Sequence, residues 1–382
     1  MRFNRHASLL VLAFCACAIA CGSRSSLSVN SDRSGGATGS AGAGIGGGVG
    51  SGGGDGGSGS AGSAGSAGSG ECEPEVFATD GSGGVRLEVD ATHAYFTTAE
   101  DRIVRAQFGG GPEEILVEGR PGIGDIALFG DYLYFSDATG IARVPKAGGV
   151  VELLTAIDKN TSFSIVADES GVYWVDGNGG IFGHSLERLS PDGVRTTLAD
   201  KIHLATGISI AGDRILIAAT GFNGSLDAYG VVGAAPKVDG GIQMIAQDVP
   251  RPKLPFAHGD HIYWIEETDE AVTNHGGIAR APAFGGAREK MVGLDGQFPI
   301  GASTDGERYY LTAILPVTGL TGLMVASFPE GGQAELIMEG GPGEFFTEVQ
   351  ASGERIVWTV QRVMDAPDNI ASVRVICKKS LL

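Results

Sequence analysis

The chain has 382 residues with 45 acidic against 27 basic side chains, a formal net charge of −18. So large an acidic excess leaves no electrostatic footprint for nucleic acid or for anionic lipid headgroups. It suits a chain kept soluble outside the cell.

In chain order, the first element is a leader. Arg2 and Arg5 give a short basic start, and Leu9–Ala20 (LLVLAFCACAIA) is an apolar run of 12 residues. That is too short to cross a bilayer and right for the core of a signal peptide, which assigns residues 1–20. Its loss removes two positive charges and takes the net charge from −18 to −20. The ending Ala18-Ile19-Ala20 fits ordinary secretory cleavage. With Cys21 it also resembles a bacterial lipoprotein box, although Ala18 stands where such boxes usually have Leu. That resemblance implies a lipid on Cys21, and Gly22 in place of Asp implies sorting to the outer membrane. Simple secretion is the alternative.

Residues 21–70 are expected to be a tether. From Gly35 to Gly70, 19 of 36 residues are Gly, nearly all the rest are Ala or Ser, and Asp55 is the one charge. Such a segment buries too little apolar surface to offset its ordering entropy, so a flexible coil is predicted. Over the stretch from Gly22 to Gly70 its root-mean-square reach is roughly 40 Å.

Residues 71–382 show no helical period, only short Val/Ile/Leu/Tyr/Trp runs cut by Gly-Asp, Gly-Gly and Pro. Alignment on the stretch GVYWVDGNGGI (171–181) gives seven copies, with anchors at Phe96, Phe135, Trp174, Ile217, Trp264, Leu311 and Trp358. The spacings are 39, 39, 43, 47, 47 and 47 residues. An apolar strand and a tight turn precede each anchor, and in most copies a third strand, a Pro/Gly turn and a fourth strand follow. Four strands per 40–47 residues is the period of propeller blades. The expectation is an all-β, seven-bladed β-propeller of four-stranded blades. Tyr173 and Trp174 should then pack between blades.

The Tyr-Trp strands resemble YWTD-type and related β-propeller repeats of secreted and cell-surface proteins. The chain departs from that pattern, having YWVD and YWIE, and seven copies where that family usually has six. It also lacks the Gly-His and Trp-Asp signatures of WD repeats.

No recognised catalytic motif emerges: residues 71–382 contain no Gly-x-Ser-x-Gly elbow, His-Glu-x-x-His or Cys-x-x-Cys. His258, Asp260, His261, Glu266 and Glu267 cluster in sequence, but the turn recurs in other copies and alternation separates His261 from Glu266. No metal, cofactor or catalytic residue is assigned. His184, His203 and His275 are expected on surface loops, and Glu88, Asp125 and Glu348 as scattered acids on first strands. Connections after the anchor lengthen in copies three to six, which points to that rim as a binding face. Phe222, Asp227, Tyr229 and Asp269 are its candidate contact residues.

These readings give an envelope-anchored, monomeric, non-catalytic binding or scaffold module for a protein or glycan. It would touch the membrane through its lipid alone and bind no nucleic acid. The alternative is a propeller enzyme, lactonase-like or streptogramin-lyase-like, acting around the central channel. Cysteine arithmetic leaves Cys72 and Cys377 once Cys15 and Cys17 depart with the leader and Cys21 takes lipid. The last copy runs out of chain after three strands. Glu71–Thr79 should supply its fourth, pairing beside Cys377 and allowing a Cys72–Cys377 disulfide.

Overall fold

The computed structural model describes residues 75–80, 86–98, 100–157, 162–177, 183–221, 230–238, 240–267, 276–294, 296–362 and 371–378. Within them are 28 strands and no α-helix. β2 (Leu87–Val89), β3 (His93–Thr97), β4 (Ile103–Gln107) and β5 (Glu114–Val117) form an antiparallel meander. The next is β6 (Ile126–Phe129), β7 (Tyr132–Asp137), β8 (Gly140–Pro145) and β9 (Glu152–Ala156). A seven-stranded sheet follows, with β10 (Ser162–Asp168), β11 (Gly171–Asp176), β12 (His184–Leu189), β13 (Arg195–Ala211), β14 (Arg214–Gly221), β15 (Val231–Pro236) and β16 (Gln243–Ala246).

After it come β17 (Lys253–His258), β18 (His261–Glu266), β19 (Gly277–Pro282) and β20 (Glu289–Gly293), with β24 (Gly332–Gln333) added in parallel. Then follow β21 (Phe298–Thr304), β22 (Arg308–Ile314), β23 (Thr321–Ser327) and β25 (Glu335–Glu339). The last sheet holds β26 (Glu344–Ser352), β27 (Arg355–Arg362), β28 (Ala371–Cys377) and, from the other end of the chain, β1 (Glu75–Asp80).

β1 runs antiparallel to β28, with Glu75 opposite Val375 and Asp80 opposite Ala371. The sheet is thus completed across the whole length of the chain, which removes the exposed edge that β28 would otherwise present. Inner strands neighbour one another in sequence order, β2 by β6, β6 by β10, β10 by β13, β13 by β17 and β21 by β26, and β26 lies back against β2. The arrangement is a β-propeller.

Side-chain alternation explains the packing. Successive residues of a strand face opposite sides of the sheet, so the two residues at each anchor pack against different neighbours. Trp174 joins Ala127, Tyr134 and Ile141 of the preceding sheet, while Tyr173 joins Ile208, Ile215 and Ile217 from the second half of its own seven-stranded sheet. Trp264 and Tyr263 divide in the same way, as do Leu311 and Tyr310. Phe96 closes the ring, packing with Val357, Val373 and Val375 from the chain's last strands. Trp174 and Tyr173 are both fully buried.

β13 was expected as two strands and is one of 17 residues. Its first half pairs with β12 and its second, from His203, with β14. The chain passes between the two groups with positive φ at Lys201 (55°) and Leu204 (39°), a conformation unfavourable for residues with a Cβ. The tight turns between first and second strands instead place glycine where φ is positive, as at Gly212 (61°) and Gly259 (59°).

Candidate functional site

The contact residues expected from loop length, Phe222, Asp227, Tyr229 and Asp269, lie outside the described residues, as do Cys21, Cys72 and His275. The strands flanking those loops are described. β14 ends at Gly221 and β18 at Glu266, both on the rim that also carries the connection 315–320, where Val317 is exposed.

The acids expected to be scattered converge. Register explains this: Arg86 precedes Leu87, which pairs with anchor Phe96; Asp125 precedes Ile126, paired with Phe135; and Glu348 precedes Val349, paired with Trp358. The three therefore hold one structural position in three adjacent units, and the ring brings together residues 262 positions apart. Arg86 Nε lies 3.1 Å from Asp125 Oδ1, and Nη1 lies 3.4 Å from Glu348 Oε1. Arg86 also donates to the Gly124 carbonyl at 3.1 Å. The corresponding residues elsewhere, such as Ser164, Gly207 and Gly301, are small and uncharged.

Edge chemistry accounts for the polar character of this seam. An inner strand has a paired neighbour on one side only, so its remaining N–H and C=O groups need other partners. Asp125 Oδ2 accepts from Ile165 N–H of β10 at 3.1 Å, and Gln350 Nε2 donates to the Leu87 carbonyl at 3.3 Å. The hydroxyl after the anchor repeats the theme. Thr97, Ser136, Thr312 and Thr359 accept from the backbone N–H of Arg86, Asp125, Gly301 and Glu348 at 3.0–3.2 Å.

Glu88, also buried, joins no ion pair or hydrogen bond among the described residues. Burial, reinforced by the charges of Asp125 and Glu348, pushes its carboxyl well above the usual carboxylate range. The site is thus an Arg-bridged carboxylate pair with a third carboxyl that resists ionisation beside it.

A second set of charges was missed in the sequence. The acid two places after the anchor is Asp137, Asp176 or Glu266, each buried and held by an arginine. Arg120 holds Asp137, Arg195 holds Asp176 at 2.9 Å, and Arg288 holds Glu266 at 3.2 Å. Arg120 and Arg195 also lie over the anchor rings Phe135 and Trp174, at 5.8 and 5.2 Å. The repeated aromatic-x-acid pattern was the available signal. Burial raises the Asp137 carboxyl's pKa, but hydrogen bonds from Arg120 and Thr139 outweigh it and hold the group below its ordinary value. Glu266 moves the other way because burial dominates.

The histidines need correction: His184 and His203 are buried on strands rather than exposed on loops. His184 Nδ1 accepts from Ala205 N–H at 3.2 Å. The sequence cluster around β18 disperses into separate contacts. His261 lies 2.5 Å from the exposed Asp260, while His258 meets the edge of the Phe328 ring at 4.5 Å. Glu266 accepts from Trp264 Nε1 at 3.0 Å, and Glu267 pairs with Arg251 and Lys253. No group of three or more His, Cys, Asp or Glu among the described residues has metal-binding geometry.

No protein-family model matches the chain, and no curated protein matches it in sequence. Solved structures do match in fold. YCF48 bound to D1 peptide superposes with a TM-score of 0.56 at 10% identity, covering 80% of this chain and 96% of that one. The WD40 β-propeller domain of Doa1 gives 0.55 at 11% identity, covering 79% and 97%. The β-propeller domain of the Trilobed protease from Pyrococcus furiosus gives 0.54 at 10% identity, covering 77% and 95%. At these identities the likeness establishes the β-propeller fold, which hosts both binding modules and parts of peptidases.

Proposed function

We propose that this chain is a lipoprotein of the cell envelope whose propeller is a non-catalytic binding or scaffold module for a protein or glycan. Cys21 carries the lipid, residues 21–70 are the tether, and the anchor sits in the outer membrane. The propeller has seven blades, with β13 divided between Ile202 and His203; the division of the two anchor residues between neighbouring core clusters supports that count. A Cys72–Cys377 disulfide locks the last blade. Its support is that Cys377 is disulfide-bonded and that β1 begins three residues after Cys72, on the strand beside it.

The observation that carries the non-catalytic reading is the seam. Arg86 is spent on Asp125 and Glu348, and those acids bind inner strands together, so their chemistry serves closure of the ring. The ligand face is the rim of long connections after the anchors, where length variation collects. The test is affinity capture from envelope extract with the mature chain, comparing wild type with a variant shortened between Gly221 and Val231. A specific partner lost on shortening supports the reading; a partner retained at equal affinity removes that loop from the site.

One observation favours the propeller-enzyme alternative. A buried acid of raised pKa that joins no ion pair or hydrogen bond among the described residues, as Glu88 is, belongs to the pattern of catalytic acids. A turnover abolished by Glu88→Gln, with folding unchanged, would move the assignment to that class.

A further inference from the structure

The rim opposite the long loops carries a second pattern. In an antiparallel meander the first–second and third–fourth turns share one end, so a ring of such units gathers all of them on one rim. The third–fourth turns present Val150, Val194, Val238 and Phe284, which are 86, 55, 66 and 78% exposed. They follow β8, β12, β15 and β19, consecutive third strands around the ring, and so mark an arc of neighbouring turns. Single exposed apolar residues are ordinary, but one on each of four equivalent turns in succession is not scattered. The other large exposed apolar side chains of the described residues sit on outer strands (Val76, Ile115, Leu153, Leu336) or on the far rim (Val317).

Inside this arc the first–second turns supply acids. Asp131, Glu169, Asp213, Asp260, Glu307 and Glu354 are exposed, one in each of six units. Four basic residues of the same rim are engaged within the fold. Lys146 lies 3.8 Å from Asp90, Lys378 lies 2.7 Å from Asp305, and Lys237 pairs with Asp168. Arg214 donates to the Ala283 carbonyl at 3.1 Å and lies over the Phe284 ring at 4.9 Å. The rim thus offers outward apolar groups around carboxylates that pair with no Lys or Arg among the described residues, Asp260 having only the His261 ring beside it.

We propose that this rim is a docking surface for a polypeptide segment in which Lys or Arg alternates with apolar side chains. Its apolar residues cover the arc between Val238 and Phe284, and its cations meet Asp213 and Asp260 beside it. Charge complementarity selects this occupant. An anionic bilayer would be repelled by the same carboxylates, and an acidic peptide likewise. The surface is distinct from the long-loop face and does not depend on it.

The test measures binding of two fluorescent peptides, one alternating Lys with Leu and one alternating Glu with Leu, to the mature full-length chain. The Lys/Leu peptide should bind, and its affinity should fall as salt shortens the electrostatic range from about 10 Å at 0.1 M. Val238→Ser with Phe284→Ser should weaken it about tenfold, equivalent to about 1.4 kcal/mol. Asp213→Asn with Asp260→Asn should weaken it similarly and flatten the salt dependence. Glu118→Gln with Asp200→Asn, the same charge change away from this rim, should leave it unchanged. Equal binding of the Glu/Leu peptide, or equal loss from both pairs of charge substitutions, overturns the proposal. So does binding of phosphatidylglycerol vesicles that is lost in the Val238/Phe284 variant, since the occupant would then be a membrane. All substituted side chains lie at exposed turns or strand surfaces, and circular dichroism of each variant verifies the fold.

Discussion

At the scale of single residues, two kinds of buried carboxyl respond to pH with opposite sign. Glu88 has a raised pKa, so the folded chain holds its proton more tightly than the unfolded chain. Stability falls as pH rises from the ordinary carboxylate range toward the folded value. Glu88→Gln should therefore gain on wild type between pH 4 and pH 8 in urea unfolding of the intact chain. A difference independent of pH would contradict this. Asp137 has a lowered pKa, so its contribution is present at neutral pH and lost as pH falls through the folded value. Asp137→Asn should cost about 2 kcal/mol at pH 7, the scale of a charge-assisted hydrogen bond. The deficit should shrink on acidification. A deficit that stays constant to low pH would show that Asp137 acts through packing instead of charge.

At the scale of elements, the anchor strands were legible in the sequence because each repeats two apolar residues of opposite facing. Trp174 and Tyr173 were read as packing between units, and they do so in two directions. Removing Trp174 opens an interface that no neighbouring side chain fills. Trp174→Ala should cost about 3–5 kcal/mol in chemical unfolding, and a loss under 1 kcal/mol would mean that the interface collapses around the gap. The seam was illegible for a physical reason. Arg86, Asp125 and Glu348 share no local motif and are equivalent only through strand register, which depends on bulges such as that between Phe346 and Val349. His184 and His203 were misread because β12 and β13 extend into segments whose polar residues suggested loops. The unbroken β13 was hidden likewise, since positive φ at Lys201 and Leu204 is not a property those residue types announce.

At the scale of the whole molecule, the ring is held shut by three independent devices. β1 pairs with β28, Phe96 packs against Val357, Val373 and Val375, and Arg86 spans β26 to β6 across β2. Closure by a remote strand was readable in advance because the final copy lacked a strand that the start of the chain had to spare. A Cys72–Cys377 bond would add up to about 5 kcal/mol by restricting the unfolded chain. Reduction of the native protein should lower its unfolding free energy toward that limit; an unchanged value would leave closure to the strands and the seam. The central claim, that β1 seals the ring, is tested most directly by native-state hydrogen exchange of the β1 amides between Glu75 and Asp80. The account predicts protection comparable to β27 and β28, lost together with theirs in a single opening. Exchange of those amides at the rate of an unstructured chain, with β27 and β28 still protected, would contradict it.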